Sequence, residues 1–333
     1  MKYDFDTLCN RIGTQCEKWD NIPVGALPMW VADMDFKTVP EVTKAIVDRA
    51  STGITGYSMV SQSWYEAIVS WNKRRHNIEY DKDWILFSSG VVPSVSCAIR
   101  RFSQPGEYVL IQSPVYHVFY SCIENNGRRV LDNCLVYENG TYKMDLEDLD
   151  KKLACPTCSL MILCNPHNPI GKIWDKDTLI EVAALCKKHN VVLVSDEIHC
   201  DLVDPNLFYV PFLGVSSTAK EVGISLLAPT KTFNLAGIQT SYVVVPNEKL
   251  RGRMNRQLNG DDVGEPNAFA TIAATEAMNN GSLWLDELRD YIYSNKNLVA
   301  TFLQENLPNV GLTVSDATYL VWLDVSYYTN DSK

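Results

Sequence analysis

Apolar positions along this chain fall into short, nearly continuous runs separated by longer stretches with helical spacing. The runs at 84–88, 107–112, 128–135, 159–164, 191–196, 223–228 and 239–245 are too short for typical helices and too uniformly apolar for strands exposed on one face. They predict strands buried on both faces. Between them the period changes. Leu179, Val182, Ala183 and Cys186 share one face of a helix predicted over 178–189, and Val91 to Phe102 reads as a second helix. Segment 38–52 opens with Thr38 and Pro40, a favourable helix start. The stretch 281–305 predicts a long helix leading to two short strands, Leu312 to Val314 and Tyr319 to Leu323. Buried strands alternating with helices predict an α/β fold with a mostly parallel sheet flanked by helices, and a second, smaller α+β domain. The expected division is 46–284 for the large domain, with 1–45 and 285–333 forming the small one. No internal repeat, low-complexity segment or Gly/Ser linker interrupts it.

Composition narrows the picture. The chain has 333 residues, 46% of them apolar, which is enough for a sizeable core. Its formal charge of −10 argues against nucleic acid or an anionic membrane as the main partner. No apolar run approaches a membrane span and the start lacks a signal-peptide pattern, so a cytoplasmic location is expected. The ten cysteines are scattered, several inside apolar segments (Cys97, Cys164, Cys186), as reduced and buried thiols are. Cys155-Pro156-Thr157-Cys158 has the spacing of half a metal site. It lacks a second cysteine pair, and the five histidines do not complete one, so no metal is expected.

Three strand ends carry the chemistry. Lys231 lies between Thr230 and Thr232, directly after the run at 223–228. A lysine at the end of a buried strand has its amine's proton affinity lowered, which suits covalent attachment to pyridoxal phosphate (PLP). Asp196 ends the run Val191–Val194, where a carboxylate can keep the cofactor's pyridine nitrogen protonated. A helix N-cap is the structural alternative for Asp196. Asn168 follows the run Leu160–Leu163 and can donate to the cofactor's phenolic oxygen, although Asn-Pro-x-Gly also makes an ordinary turn. Ser88-Ser89-Gly90, between a predicted strand and a predicted helix, places free backbone N–H groups where they can face an anion.

Asn165-Pro-His-Asn-Pro-Ile-Gly171, Ser195-Asp-Glu-Ile-His199 and Lys231-Thr-Phe-Asn-Leu-Ala-Gly237, in that order, resemble the fold-type I PLP enzymes of the aspartate aminotransferase superfamily. Within it the chain is most similar to the MalY/PatB-type cystathionine β-lyases, or C–S lyases. Leu27–Phe36, Gly53–Tyr57, Ser113–Tyr116 and Ala317–Asp324 match as well, so the resemblance spans Asp4 to Asp324. It implies that Lys231 carries the cofactor and shuttles protons, that Asp196 pairs with the pyridine nitrogen, and that Tyr116 stacks on the ring. It places Asn168 at the phenolic oxygen and His199 near the same edge. It makes Gly90, Val91, Val92 and Thr230 phosphate contacts, joined by Tyr57 from the neighbouring subunit of a homodimer. Ala32, Asp33 and Asn168 would face the amino-acid substrate.

Two departures matter. Many relatives carry a phosphate-clamping arginine eight positions after the lysine, where this chain has Gln239. Relatives also continue for several tens of residues past the Tyr319–Asp324 stretch, and that continuation holds an arginine for the substrate carboxylate. No arginine follows Arg289 here. The expectation is therefore a chain that binds PLP better than substrate. The function implied is β-elimination on L-cysteine S-conjugates such as cystathionine. A class I/II aminotransferase is the alternative. A PLP-binding regulator or inactive truncated form is a second alternative.

Overall fold

The structure is a computed structural model that describes residues 2–23 and 25–329. Seven strands form one sheet: β1 (Ile85–Ser88), β2 (Tyr108–Ile111), β3 (Arg129–Asp132), β4 (Cys158–Cys164), β5 (Val192–Asp196), β6 (Gly223–Leu227) and β7 (Ser241–Val244). Their order is β3-β2-β4-β5-β6-β7-β1. Every neighbouring pair is parallel except those of β7, which runs antiparallel to both β6 and β1.

The pleat sends alternate residues into two cores. Leu160, Ile162, Cys164, Val194, Ile224, Leu226 and Val243 face one core, which the helices Val91–Phe102, Val118–Asn125 and Glu248–Gly260 close through Val95, Phe119 and Met254. Met161, Leu163, Leu193, Tyr242 and Val244 face the other, closed by Gln62–His76, Lys176–Lys188 and Ala270–Asn280 through Ile68, Val182 and Ala274. Burial on both faces explains why the central strands carry no polar alternation. Among the described residues, no helix is long and apolar enough to cross a membrane.

The seven strands, and the helix observed over Lys176–Lys188, lie where the hydrophobic pattern predicts them. Two local features differ from the prediction. Val136–Glu138 and Thr141–Lys143 pair as a hairpin across Asn139 and Gly140, both with positive φ, the geometry that Asn-Gly favours. Near the end of the chain, among the described residues, only Gly311–Leu312 and Leu323–Asp324 pair as strands. The residues between are drawn elsewhere. Asp316 and Ala317 donate their N–H groups to the Gly171 carbonyl, Thr318 donates to Leu202 O, and Ala317 bridges to Val203. Gly171 permits this approach: its φ is +69°, and a Cβ there would lie 2.1 Å from Ser315 Oγ and 2.6 Å from the Ala317 carbonyl.

Among its described residues, the N-terminal stretch up to Val39 has a single helical turn, Glu17–Asp20, and is held by charge instead. Arg11 binds Asp33 and Asp35 at 2.7 Å each. Lys18 and Trp19 Nε1 bind Asp35 at 2.7 and 2.8 Å. The helix Ser282–Asn306 runs unbroken from buried Trp284, Leu285 and Leu288 toward the C-terminal pairing.

Candidate active site

The C-terminal ends of β4, β5 and β6 converge on one cavity of about 290 Å³. Asp196, the last residue of β5, sits in register with Cys164, the last of β4. The Asn165 N–H donates to the Asp196 carbonyl, and the Glu197 N–H donates to the Leu226 carbonyl, so the strand ends are stitched together where the chain leaves the sheet. After β6 the chain makes one helical turn, Pro229–Thr232, with proline in its favoured first position. That turn carries Lys231. Its anchor is Phe233, fully buried between Trp71 and Trp284, with ring centroids 5.4 and 5.8 Å away. Gly281 lets Phe233 in, because a Cβ there would stand 2.2 Å from its ring. Thr232 Oγ1 donates to buried Asp201 at 2.8 Å, fastening the turn from another side.

The wall opposite is the start of the helix Val91–Phe102. Gly90 is its N-cap and accepts from the Ser94 N–H, so the first N–H groups of the helix have no intrahelical acceptor and its positive end faces the cavity.

Gly90, Val91, Val92, Tyr116, Asn168, Asp196, His199, Lys231 and Ala32 all line this one cavity. Gln239 lines it too. Thr230 is buried beside Lys231 and is not part of the lining. Asp33 is turned into its ion pairs with Arg11 and Lys18. Tyr57 is fully exposed and does not line the cavity. Asn168 donates its N–H to Cys164 Sγ at 3.3 Å. His167, its buried neighbour, hydrogen-bonds the Pro114 carbonyl through Nε2 at 2.9 Å, and burial pushes its pKa down to about 4.

Burial dominates the electrostatics. It pushes Asp196 up to about 7, against the Ile198 N–H (3.1 Å to Oδ1) and the Lys231 charge. Burial also lowers Lys231, against the attraction of Asp33 and Asp196. His199 is pushed down to about 3 by burial, then by Lys231 and Lys296, and its buried Nδ1 has no partner. Tyr116 is raised by burial and by Asp196.

These observations fit PLP. Asp196 is a buried carboxylate with little to hold its charge, as a partner for a protonated ring nitrogen should be. The helix start suits a phosphate. Lys231 is a buried amine, and Asn168 supplies an amide on the cavity wall.

Sequence reasoning assigned no role to Tyr319, although its Ala317-Thr-Tyr-Leu stretch stood out. Its hydroxyl donates to the Ala32 carbonyl at 2.7 Å, the same oxygen that Lys231 Nζ meets at 2.5 Å. Cys164 and Ile198 also line the cavity unannounced. Asn234, in the lysine motif, holds the backbone of Met34 and Phe36.

The model of the family "Aminotransferase class I and II" matches residues 27–332. Cystathionine beta-lyase PatB of Bacillus subtilis (strain 168) is 42% identical over 330 residues, covering 98% of this chain and 85% of that protein. Protein MalY of Escherichia coli (strain K12) is 33% identical, covering 97% and 84%. Among solved structures, cystalysin from Treponema denticola, which contains a pyridoxal 5'-phosphate cofactor, superposes with a TM-score of 0.94 at 31% identity over 98% of this chain and 85% of that one. The PLP-bound C–S lyase from Staphylococcus hominis gives 0.90 at 30% identity, covering 98% and 84%.

Proposed function

This chain belongs to the class I and II aminotransferase family, and on that premise we propose that it is a PLP-dependent carbon–sulfur lyase. It cleaves L-cysteine S-conjugates such as cystathionine by β-elimination, giving thiol, pyruvate and ammonia. The observation that carries the reading is the meeting of Lys231, Asp196, Asn168 and the start of the helix Val91–Phe102 around one cavity. Similarity to proteins named cystathionine β-lyase and C–S lyase supports the elimination chemistry.

Bound PLP supplies an electron sink that acidifies the substrate Cα–H bond. Lys231 would hold the cofactor through its amine, and its free Nζ would be the base that takes the substrate Cα proton. Asp196 would place its carboxylate at the ring nitrogen and keep that nitrogen protonated. Tyr116 would cover the ring face, and Asn168 and His199 would meet its polar edge. Gly90, Val91 and Val92 would hold the phosphate, with Thr230 buried next to Lys231 behind the wall. Ala32 and Asn168, on the cavity wall, would face the substrate, while Asp33, paired with Arg11 and Lys18, does not line the cavity. The Cβ–S bond then breaks, its electron pair leaving on sulfur, and the remaining three-carbon enamine takes up water to give pyruvate and ammonia. All ten cysteines are free thiols, which fits a cytoplasmic protein. In the same reading, 46–284 is the cofactor-carrying domain and 1–45 with 285–333 the smaller one; residues 330–333 lie outside the described part.

An aminotransferase would use the same proton removal at Lys231, and the family is named for that activity. Incubating the PLP-loaded protein with cystathionine separates the readings. Pyruvate without added keto acid identifies the lyase. Amino transfer that requires a keto acid identifies the aminotransferase. PLP binding with neither activity identifies a binding protein.

The active form we propose is a homodimer in which Tyr57 reaches the neighbour's phosphate site. Tyr57 is fully exposed on a strap with Ile54 and Met59 also exposed, and Gln239 lines the cavity at the position where many aminotransferases carry an arginine. One hydrogen bond to a charged group is worth about 1.5–3 kcal/mol. Tyr57→Phe is therefore expected to weaken PLP binding about tenfold or more, measured by titrating apoprotein. A monomer in sedimentation that holds PLP with undiminished affinity as Tyr57→Phe contradicts the shared site.

A further inference from the structure

We propose that Asn234 is a positioning residue for the reaction: by pinning the backbone of Met34 and Phe36, it sets the Ala32 carbonyl against the amine of Lys231. This rests on the proposed role of Lys231 and adds the group that fixes that amine's hydrogen-bond acceptor.

Residues 30–36 form no helix or strand, so no backbone ladder places Ala32. Its carbonyl nevertheless accepts from Lys231 Nζ at 2.5 Å and from Tyr319 Oη at 2.7 Å. Two residues on, the Met34 N–H donates to Asn234 Oδ1 at 3.1 Å. Asn234 Nδ2 donates to the carbonyls of Met34 at 2.8 Å and Phe36 at 2.9 Å. A primary amide has one acceptor oxygen and two N–H donors, and here the oxygen and both donors' worth of bonds go to this one segment. The carboxylate of Asp could not donate either bond. Asn234 follows the Lys231 turn in the left-handed conformation, φ 57°, which asparagine tolerates better than most residues. Arg11 and Lys18 also hold the segment, at the Met34 and Asp33 carbonyls, but they come from the same N-terminal stretch. Asn234 ties it to the turn that carries the lysine, across 200 positions of sequence.

The tie acts on a proton. A carbonyl acceptor favours the charged form of an amine, and Asp33 and Asp196 act in the same direction against burial. His199, Tyr116, Cys164 and Tyr319 complete the titratable surroundings. If the segment is released, Lys231 loses both a fixed position and an interaction that holds its proton.

Asn234→Gly tests this, because glycine keeps the left-handed backbone and removes only the side-chain bonds. In apoprotein, hydrogen exchange at the Met34 amide is expected to quicken at least about tenfold. The pH midpoint for recapture of PLP by apoprotein, followed by visible absorbance, is expected to move to lower pH. In the reloaded protein kcat is expected to fall about tenfold or more, with PLP affinity changed far less. A Met34 amide that exchanges as in wild type, or an unmoved pH midpoint, overturns the proposal. Wild-type apoprotein gives a second measurement that does not depend on the variant folding: its Met34 amide must be protected although it lies outside regular structure, and an unprotected amide overturns the proposal as well. Neither exchange measurement requires turnover, so this inference can fail while the lyase reading stands, and the reverse.

Discussion

Lys231→Ala is expected to abolish turnover and the visible absorbance of lysine-bound PLP, while leaving the fold intact. The turn that carries Lys231 is held by other groups. Phe233 is buried between Trp71 and Trp284, Thr232 binds Asp201, and Asn234 binds the N-terminal segment. The lysine itself contributes one hydrogen bond, to the Ala32 carbonyl. Its removal therefore subtracts chemistry rather than packing. General base catalysis alone is worth about 10²–10⁴ in rate, and the covalent hold on the cofactor is lost as well, so a fall of at least about 10⁴ is expected. The checks are pyruvate release from cystathionine and the absorbance spectrum before and after borohydride. PLP should remain bound non-covalently, because the helix start at Gly90, Asp196 and Asn168 are untouched. Lys231→Arg, which keeps a cation but not a nucleophilic amine, should fail in the same way. A Lys231→Ala protein with unchanged turnover sinks the assignment.

What could be read from the sequence follows from which signals are local. A strand buried on both faces writes itself as an apolar run, so β4, β5 and β6 were visible, and with them the strand ends where Lys231, Asp196 and Asn168 gather. The Asn139-Gly140 hairpin was equally local, and its dipeptide was the available signal. Tertiary pairing left no such mark. The stretch 315–318 gives its backbone to Gly171, Leu202 and Val203, more than a hundred residues away, and so does not continue the short strands predicted around it. The Ala32 carbonyl is a main-chain atom with no residue-type signature. Its importance appears only when Lys231 and Tyr319 are seen to converge on it. Asn234 could be read as part of a motif, but the backbone it binds lies at the other end of the chain. Tyr57, exposed on a single chain, has meaning for the site only beside a second copy.

Asp196→Asn is expected to move activity and stability in opposite directions. The carboxylate is buried and pushed up to about 7 from an ordinary 3.8, chiefly by burial. With PLP bound, a protonated ring nitrogen would give that charge a partner. Losing one preorganised electrostatic interaction of this kind costs about 10²–10³ in rate, so kcat should fall by that much with PLP still bound. In apoprotein the same charge has only the Ile198 N–H and the Lys231 amine to favour it. The folded state therefore holds the Asp196 proton more tightly than the unfolded state does. Between pH 4 and 7 the folded apoprotein binds more protons at this site, and stability falls as pH rises through that window. The full penalty, on the order of 4 kcal/mol by linkage, is present above the folded-state value. Asparagine has nothing to ionise. Apo Asp196→Asn should unfold at higher denaturant than wild type at pH 8, and the two should converge near pH 4. No helix begins directly after Asp196, and a carboxylate kept only for its turn bond to the Ile198 N–H predicts the reverse at pH 8, because replacing it would weaken that bond. Near-normal turnover in Asp196→Asn, or a less stable apoprotein at pH 8, would therefore return Asp196 to a structural role.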